Sequence, residues 1–144
     1  MSDGLSELER SALRERTVEL RTEASRGRGS KKAAAEERDV LAKIAKMEPA
    51  DRAVAERLHA LVAVHAPDLA PKLWYGQPAY ARNGKVVCFF RSGHVDKERY
   101  SAFGFTPEAN LDDESGVWPT SYAVNELSDR GERAIADLLK RAVG

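Results

Sequence analysis

The chain has 144 residues, 42% hydrophobic and 32% charged, with 23 basic and 23 acidic residues that cancel to a formal net charge of zero. That length suits one domain, or a domain of about 100 residues with an extension, and the charge balance argues against a surface built wholesale for nucleic acid or anionic lipid. One cysteine excludes an internal disulfide and multi-cysteine zinc sites; without an apolar run long enough for a membrane span or a secretory signal, the expected location is the cytoplasm.

Ser6 and Glu9 have capping-box spacing and predict the start of a first helix, with Leu5, Leu8, Ala12, Leu13 and Leu20 on one stripe. Glycines at 27 and 29 end it. A second helix is expected over residues 32–47, with Val40, Leu41, Ile44 and Met47 as its apolar face. Pro49 suits a first helical turn and opens a third helix over 49–65. Its apolar positions Val54, Leu58, Leu61, Val62 and His65 give the clearest helical period in the chain.

Residues 66–71 carry two prolines and read as a turn. The stretch LWYGQPAYARNGKVVCFF, residues 73–90, reads as a hairpin closed by Asn83-Gly84, a pair suited to a type I′ turn. That turn pairs Arg82 with Lys85, Tyr80 with Val87, Ala79 with Cys88 and Pro78 with Phe89. Pro78 lacks an amide proton, so the ladder should stop or bulge there, with Gly76 helping the bend. The run Val86 to Phe90 is apolar on both faces and belongs in a sheet interior with cover on each side.

Residues 92–99 are a polar connection, 100–105 a strand, 106–116 an acidic loop, and 117–124 a short strand kept to an edge by Pro119. Ser128 caps a last helix with Ile135, Leu138, Leu139 and Ala142 on its buried side. The expected class is α+β: a mainly antiparallel sheet of three or four strands, with the third and last helices on one face. The N-terminal helical pair is the expected cover for the other. The division is an N-terminal helical extension over 1–47 and an α+β domain over 48–144, the basic linker near residue 28 being the alternative boundary.

The positions Tyr75, Gly76, Pro78, Ala79, Tyr80, Gly84, Lys85, Val87 and Phe89 resemble the pattern of the YdhG-like domains, small bacterial proteins of unknown function described as frataxin-like. The resemblance continues through Phe103 to Pro107 and the last helix, covering about residues 48–144. Gln77 stands where the family usually has Met. The resemblance implies an α+β fold and a possible iron-chaperone role. Many relatives carry a Lys-x-His before the third-strand glycine; the comparable positions here are Tyr100 and Ala102, so no role for that histidine is implied.

Several groups are candidates for chemistry. Cys88 sits mid-strand among hydrophobes and reads as a buried structural thiol. His94, Asp96 and Glu98, and separately Asp112, Asp113 and Glu114 with Glu108 nearby in sequence, offer nitrogen and oxygen ligands to a metal, iron included; the simpler reading is charged surface loops. His59 and His65 are six residues apart, about 240° around a helix, and cannot chelate one ion as neighbours. Arg26, Arg28, Lys31 and Lys32 form a basic cluster without a phosphate-loop pattern, and nucleic acid is not expected. Trp74, Tyr75, Gln77, Tyr80 and Trp118 are the expected rim of a ligand pocket, against the simpler reading that the rings are core. No triad, nucleophile elbow, zinc-protease helix or dinucleotide fingerprint is present, so an enzyme is not the expectation. The expected function is a small cytoplasmic binding protein, for a small ligand or for iron, as a monomer or homodimer. The alternative is a protein-interaction module that uses the helical extension.

Overall fold

The structure is a computed structural model that describes residues 12–16 and 30–144. The Ser6–Glu9 capping box and the basic residues Arg26 and Arg28 lie outside the described residues. Residues 12–16 are helical. After them come α1 (Ser30–Ala45), α2 (Pro49–His65), β1 (Ala70–Trp74), β2 (Gln77–Arg82), β3 (Lys85–Arg91), the one-turn α3 (Gly93–Asp96), β4 (Ser101–Phe105), β5 (Ser121–Val124) and α4 (Asp129–Val143).

Helix boundaries follow local chemistry. Pro49 stands in the first turn of α2, and the Glu48 side chain accepts the Asp51 amide at 3.3 Å. Ser128 caps α4 by accepting the Gly131 amide at 3.2 Å, and Lys140 and Arg141 stand in its last turn, where the helix dipole favours cations. Among the described residues no helix is long and apolar enough to cross a membrane.

The sheet has five strands in sequence order, each antiparallel to the next, so the class is α+β. The strand beyond the expected three or four is β1, within the proline-marked stretch read as a turn and a hairpin start. Pro71 is tolerated there because β1 is an edge strand. Two tight turns join the first three strands. Asn83 and Gly84 have φ of 54° and 80°, the positive pair that a type I′ turn needs. Tyr75 and Gly76, at 51° and 77°, repeat the arrangement between β1 and β2, a hairpin the sequence reading missed.

One irregularity decides which side chains share a face. Arg82 pairs with Lys85 and Ala81 with Val86, as the turn dictates, but Tyr80 then pairs with Cys88 and Ala79 with Phe89. Val87 is the extra residue of a β-bulge, and the expected pairs beyond it are each displaced by one. The β2–β3 ladder ends at Ala79, beside Pro78, as the missing amide proton requires. Beyond that point Gln77 stands in for the ladder: its Oε1 accepts the Ser92 amide at 3.4 Å.

With this register, Tyr80, Cys88, Phe90, Phe103 and Phe105 join one buried cluster with Leu58 and Val62 of α2 and Ile135 and Leu139 of α4. β3 is the middle strand of the five, as its apolar run demands. α1 differs from expectation. Its Val40 and Ile44 are buried in this same cluster, so it packs beside α2 and does not cover the opposite face. On that opposite face Phe89 meets Trp74 at a ring distance of 5.3 Å and lies over Gly104, its partner on β4. Helical residues 12–16 approach from there. The Arg16 guanidinium sits 5.7 Å from the Tyr75 ring centre, and Glu15 pairs with Lys43 at 3.7 Å and acts electrostatically on Arg91.

A Cβ on Gly104 would stand 2.5 Å from the Phe89 ring. Gly104→Ala should therefore lower stability by about 1–3 kcal/mol through overpacking, and adding Phe89→Leu should recover part of the loss. Urea unfolding of the wild type, the single variant and the double variant checks this; a neutral Gly104→Ala would contradict the packing described.

Candidate functional site

Three elements bring a carboxylate, an imidazole and a phenol into line. On α1, Glu37 precedes Val40 and Ile44 by three and seven residues, so it borders their buried stripe. On α2, His59 follows Ala55 by four residues and precedes Val62 by three, which sets it at the edge of that helix's buried face. On β2, Tyr80 points into the helix-covered side and is 1% exposed. His59 Nδ1 lies 2.9 Å from the Tyr80 hydroxyl, and His59 Nε2 lies 3.3 Å from Glu37 Oε2.

The donor directions follow from what each group can do. A carboxylate only accepts, so Nε2 carries the imidazole proton. In the neutral form of the ring Nδ1 is then an acceptor, and the Tyr80 hydroxyl donates to it. Burial pushes the Tyr80 phenol well above its ordinary value, with smaller contributions from Cys88 and Glu37, so it keeps its proton. The chain runs from Tyr80 through His59 to Glu37. It forms one end of a cavity of about 260 Å³ whose remaining walls include Val62, Pro67 and Leu69. The two prolines that the sequence reading placed in a turn, Pro67 and Pro71, are both wall residues.

A second polar cluster ties α2 to the sheet. The Asp51 carboxylate accepts from the Ser92 hydroxyl, from the Ser101 hydroxyl at 3.2 Å and from the His94 amide at 3.2 Å. Ser92 Oγ in turn accepts the Val95 amide at 3.3 Å, and Ser101 Oγ the Gly93 amide at 2.9 Å. Each hydroxyl both donates and accepts. Gly93 is needed because a Cβ there would collide with the Tyr100 carbonyl. This cluster holds the α3 loop in place. A shallow groove of about 470 Å³ also separates α2 from α4, bordered by His65, Asp129, Arg133, Asp137 and Lys140. Arg57 spans the two helices with a two-pronged pair to Glu132, at 2.9 and 2.7 Å.

The expected pocket rim does not assemble as one site. Trp74 and Gln77 are register partners and share a face, whereas Tyr80, three residues on, faces the other side. Tyr75 is exposed in the turn. Trp118 packs on the core just before β5, and β1 and β5 are four strand spacings apart, roughly 19 Å. Of the five residues, Tyr80 alone lines the cavity beside His59. The metal candidates are also dispersed. Asp96 is held by Arg91 through contacts of 2.7 and 2.5 Å. Asp112, Asp113 and Glu114 are exposed, and hydrogen bonds from Ser115 hold the Asp113 carboxyl below its usual range. Among the described residues no three His, Cys, Asp or Glu side chains are grouped to hold a metal ion. Cys88 is buried, and burial pushes its thiol up, which removes the thiolate that reactivity needs.

Glu37 and His59 were not among the candidate site residues read from the sequence. In sequence each looks like an ordinary helix position, and only the packing of α1 against α2 joins them. Comparison with protein-family models, with curated proteins and with solved structures finds no match.

Two predictions follow from these contacts. Asp51→Ala strands the hydroxyls of Ser92 and Ser101 in a largely buried setting and should cost about 1–3 kcal/mol in urea unfolding. Tyr80 has a folded pKa above its ordinary value of 10.0, so its contribution to stability is full below that value and lost as pH rises past it. Unfolding midpoints followed from about pH 9 to about pH 12 should fall more steeply in the wild type than in Tyr80→Phe; parallel curves would contradict the burial of the phenol.

Proposed function

We propose that this protein is a cytoplasmic binding protein for a small ligand, with its site in the cavity between α1, α2 and β2. The observation that carries this is the ordered Tyr80–His59–Glu37 chain at the end of a cavity with apolar walls. Ligand sites commonly combine such walls with a few fixed polar groups. Here the polar groups come from three separate elements, and each ring nitrogen of His59 has a partner that holds its orientation. The lone buried cysteine is in keeping with a reducing compartment.

The resemblance to frataxin-like domains makes iron the other class to weigh. The small-ligand reading is preferred because it has a formed site, whereas Asp96 is taken up by Arg91 and Asp112, Asp113 and Glu114 are exposed side by side on the loop before β5.

The test is a fragment screen by thermal shift on the full chain and on Ala63→Trp, which places an indole at the exposed mouth of the cavity. A ligand at 100 times its Kd should stabilise the wild type by about 2.7 kcal/mol. True hits should lose their effect in Ala63→Trp. Hits that persist in that variant, or a screen with none, would refute the assignment of this cavity.

A further inference from the structure

We infer that the ligand of this cavity is a small organic cation, an ammonium group on a compact apolar body. The inference rests on the small-ligand reading and deepens it by counting what the walls offer. His59 has no free nitrogen: Nδ1 lies against the Tyr80 hydroxyl and Nε2 against Glu37, and in the neutral ring Nδ1 takes the hydroxyl proton and Nε2–H goes to Glu37. The single proton of Tyr80 is already donated. Val62, Ala63, Pro67, Leu69 and Pro71 present no polar side chain. Among the described residues no lysine or arginine lines the cavity.

What remains is acceptor capacity. The Glu37 carboxylate has lone pairs beyond the one facing His59, and the Tyr80 oxygen keeps its own. A ligand that needs donors, such as a carboxylate or a phosphate, finds none on the described side chains. A ligand that brings donors is matched, and one that brings donors and a positive charge also complements Glu37, the only formal charge among the described wall residues. Charge-assisted hydrogen bonds of an ammonium to a carboxylate are the stronger kind. Glu37 is half exposed, at 51% of its side-chain surface, so solvent limits the charge contribution.

The test compares three probes of one shape: phenethylamine, phenethyl alcohol and hydrocinnamate. NMR signals of the His59 ring and the Tyr80 ring report binding on the full chain. The amine should bind about five-fold more tightly than the alcohol, the upper range for a partly exposed charge pair, and the carboxylate should bind more weakly than both. Glu37→Gln keeps an acceptor for His59 and removes the charge, so it should erase the preference for the amine. An alcohol or carboxylate that matches the amine, or a preference that survives Glu37→Gln, overturns the cation inference and leaves the cavity reading standing. If no probe moves either ring's signals, both readings fall.

Discussion

A phenol hydroxyl buried among hydrocarbon side chains must have a hydrogen-bond partner, because an unpaired one costs about 1–3 kcal/mol. Tyr80 places such a hydroxyl at the centre of this fold, beneath α2 and beside α1. Most of what distinguishes the structure answers that requirement. His59 leans from the edge of α2's buried face to accept the proton, and Glu37 on α1 fixes the ring by accepting from its other side. The three residues stitch two helices to the sheet through side chains where backbone pairing cannot reach.

The β-bulge is the backbone's part in this arrangement. Without Val87 as an extra residue, Tyr80 would face Val87 and Cys88 would turn with Ala79 to the other side. With it, Tyr80, Cys88 and Phe105 stand in register across three strands, so the most apolar surface of the sheet is continuous under the helices. The same shift sends Phe89 to the opposite face, where Gly104 gives it room. Fixing the sheet and forming the site are therefore one event, and the Asp51 cluster serves it from the other end of α2 by anchoring that helix to the α3 loop and β4.

Much of the fold was legible wherever a local rule governs. The span of α2 followed from Pro49 and a regular apolar period, the start of α4 from Ser128, and the β2–β3 turn from Asn83-Gly84. The interior position of β3 followed from its two apolar faces. The bulge was not legible, because Val86-Val87-Cys88 has no glycine or polar residue to mark the extra position. β1 was hidden by prolines that an edge strand accepts. The site was hardest to see. Tyr80 stood out as an aromatic with a polar end, but its partners lie 21 and 43 positions earlier, and each is unremarkable on its own helix. Tertiary packing of α1 beside α2, and not on the far face of the sheet, is what brings them together.

The direction of hydrogen bonding through His59 is the point on which both the proposed site and its proposed ligand class turn. Nitrogen chemical shifts of the selectively labelled His59 ring, recorded near neutral pH, read it directly. The predicted result for the neutral form of the ring is a proton on Nε2 and a bare, hydrogen-bonded Nδ1. A proton on Nδ1, or an averaged signal from a ring that exchanges freely between forms, would contradict the relay from Tyr80 to Glu37.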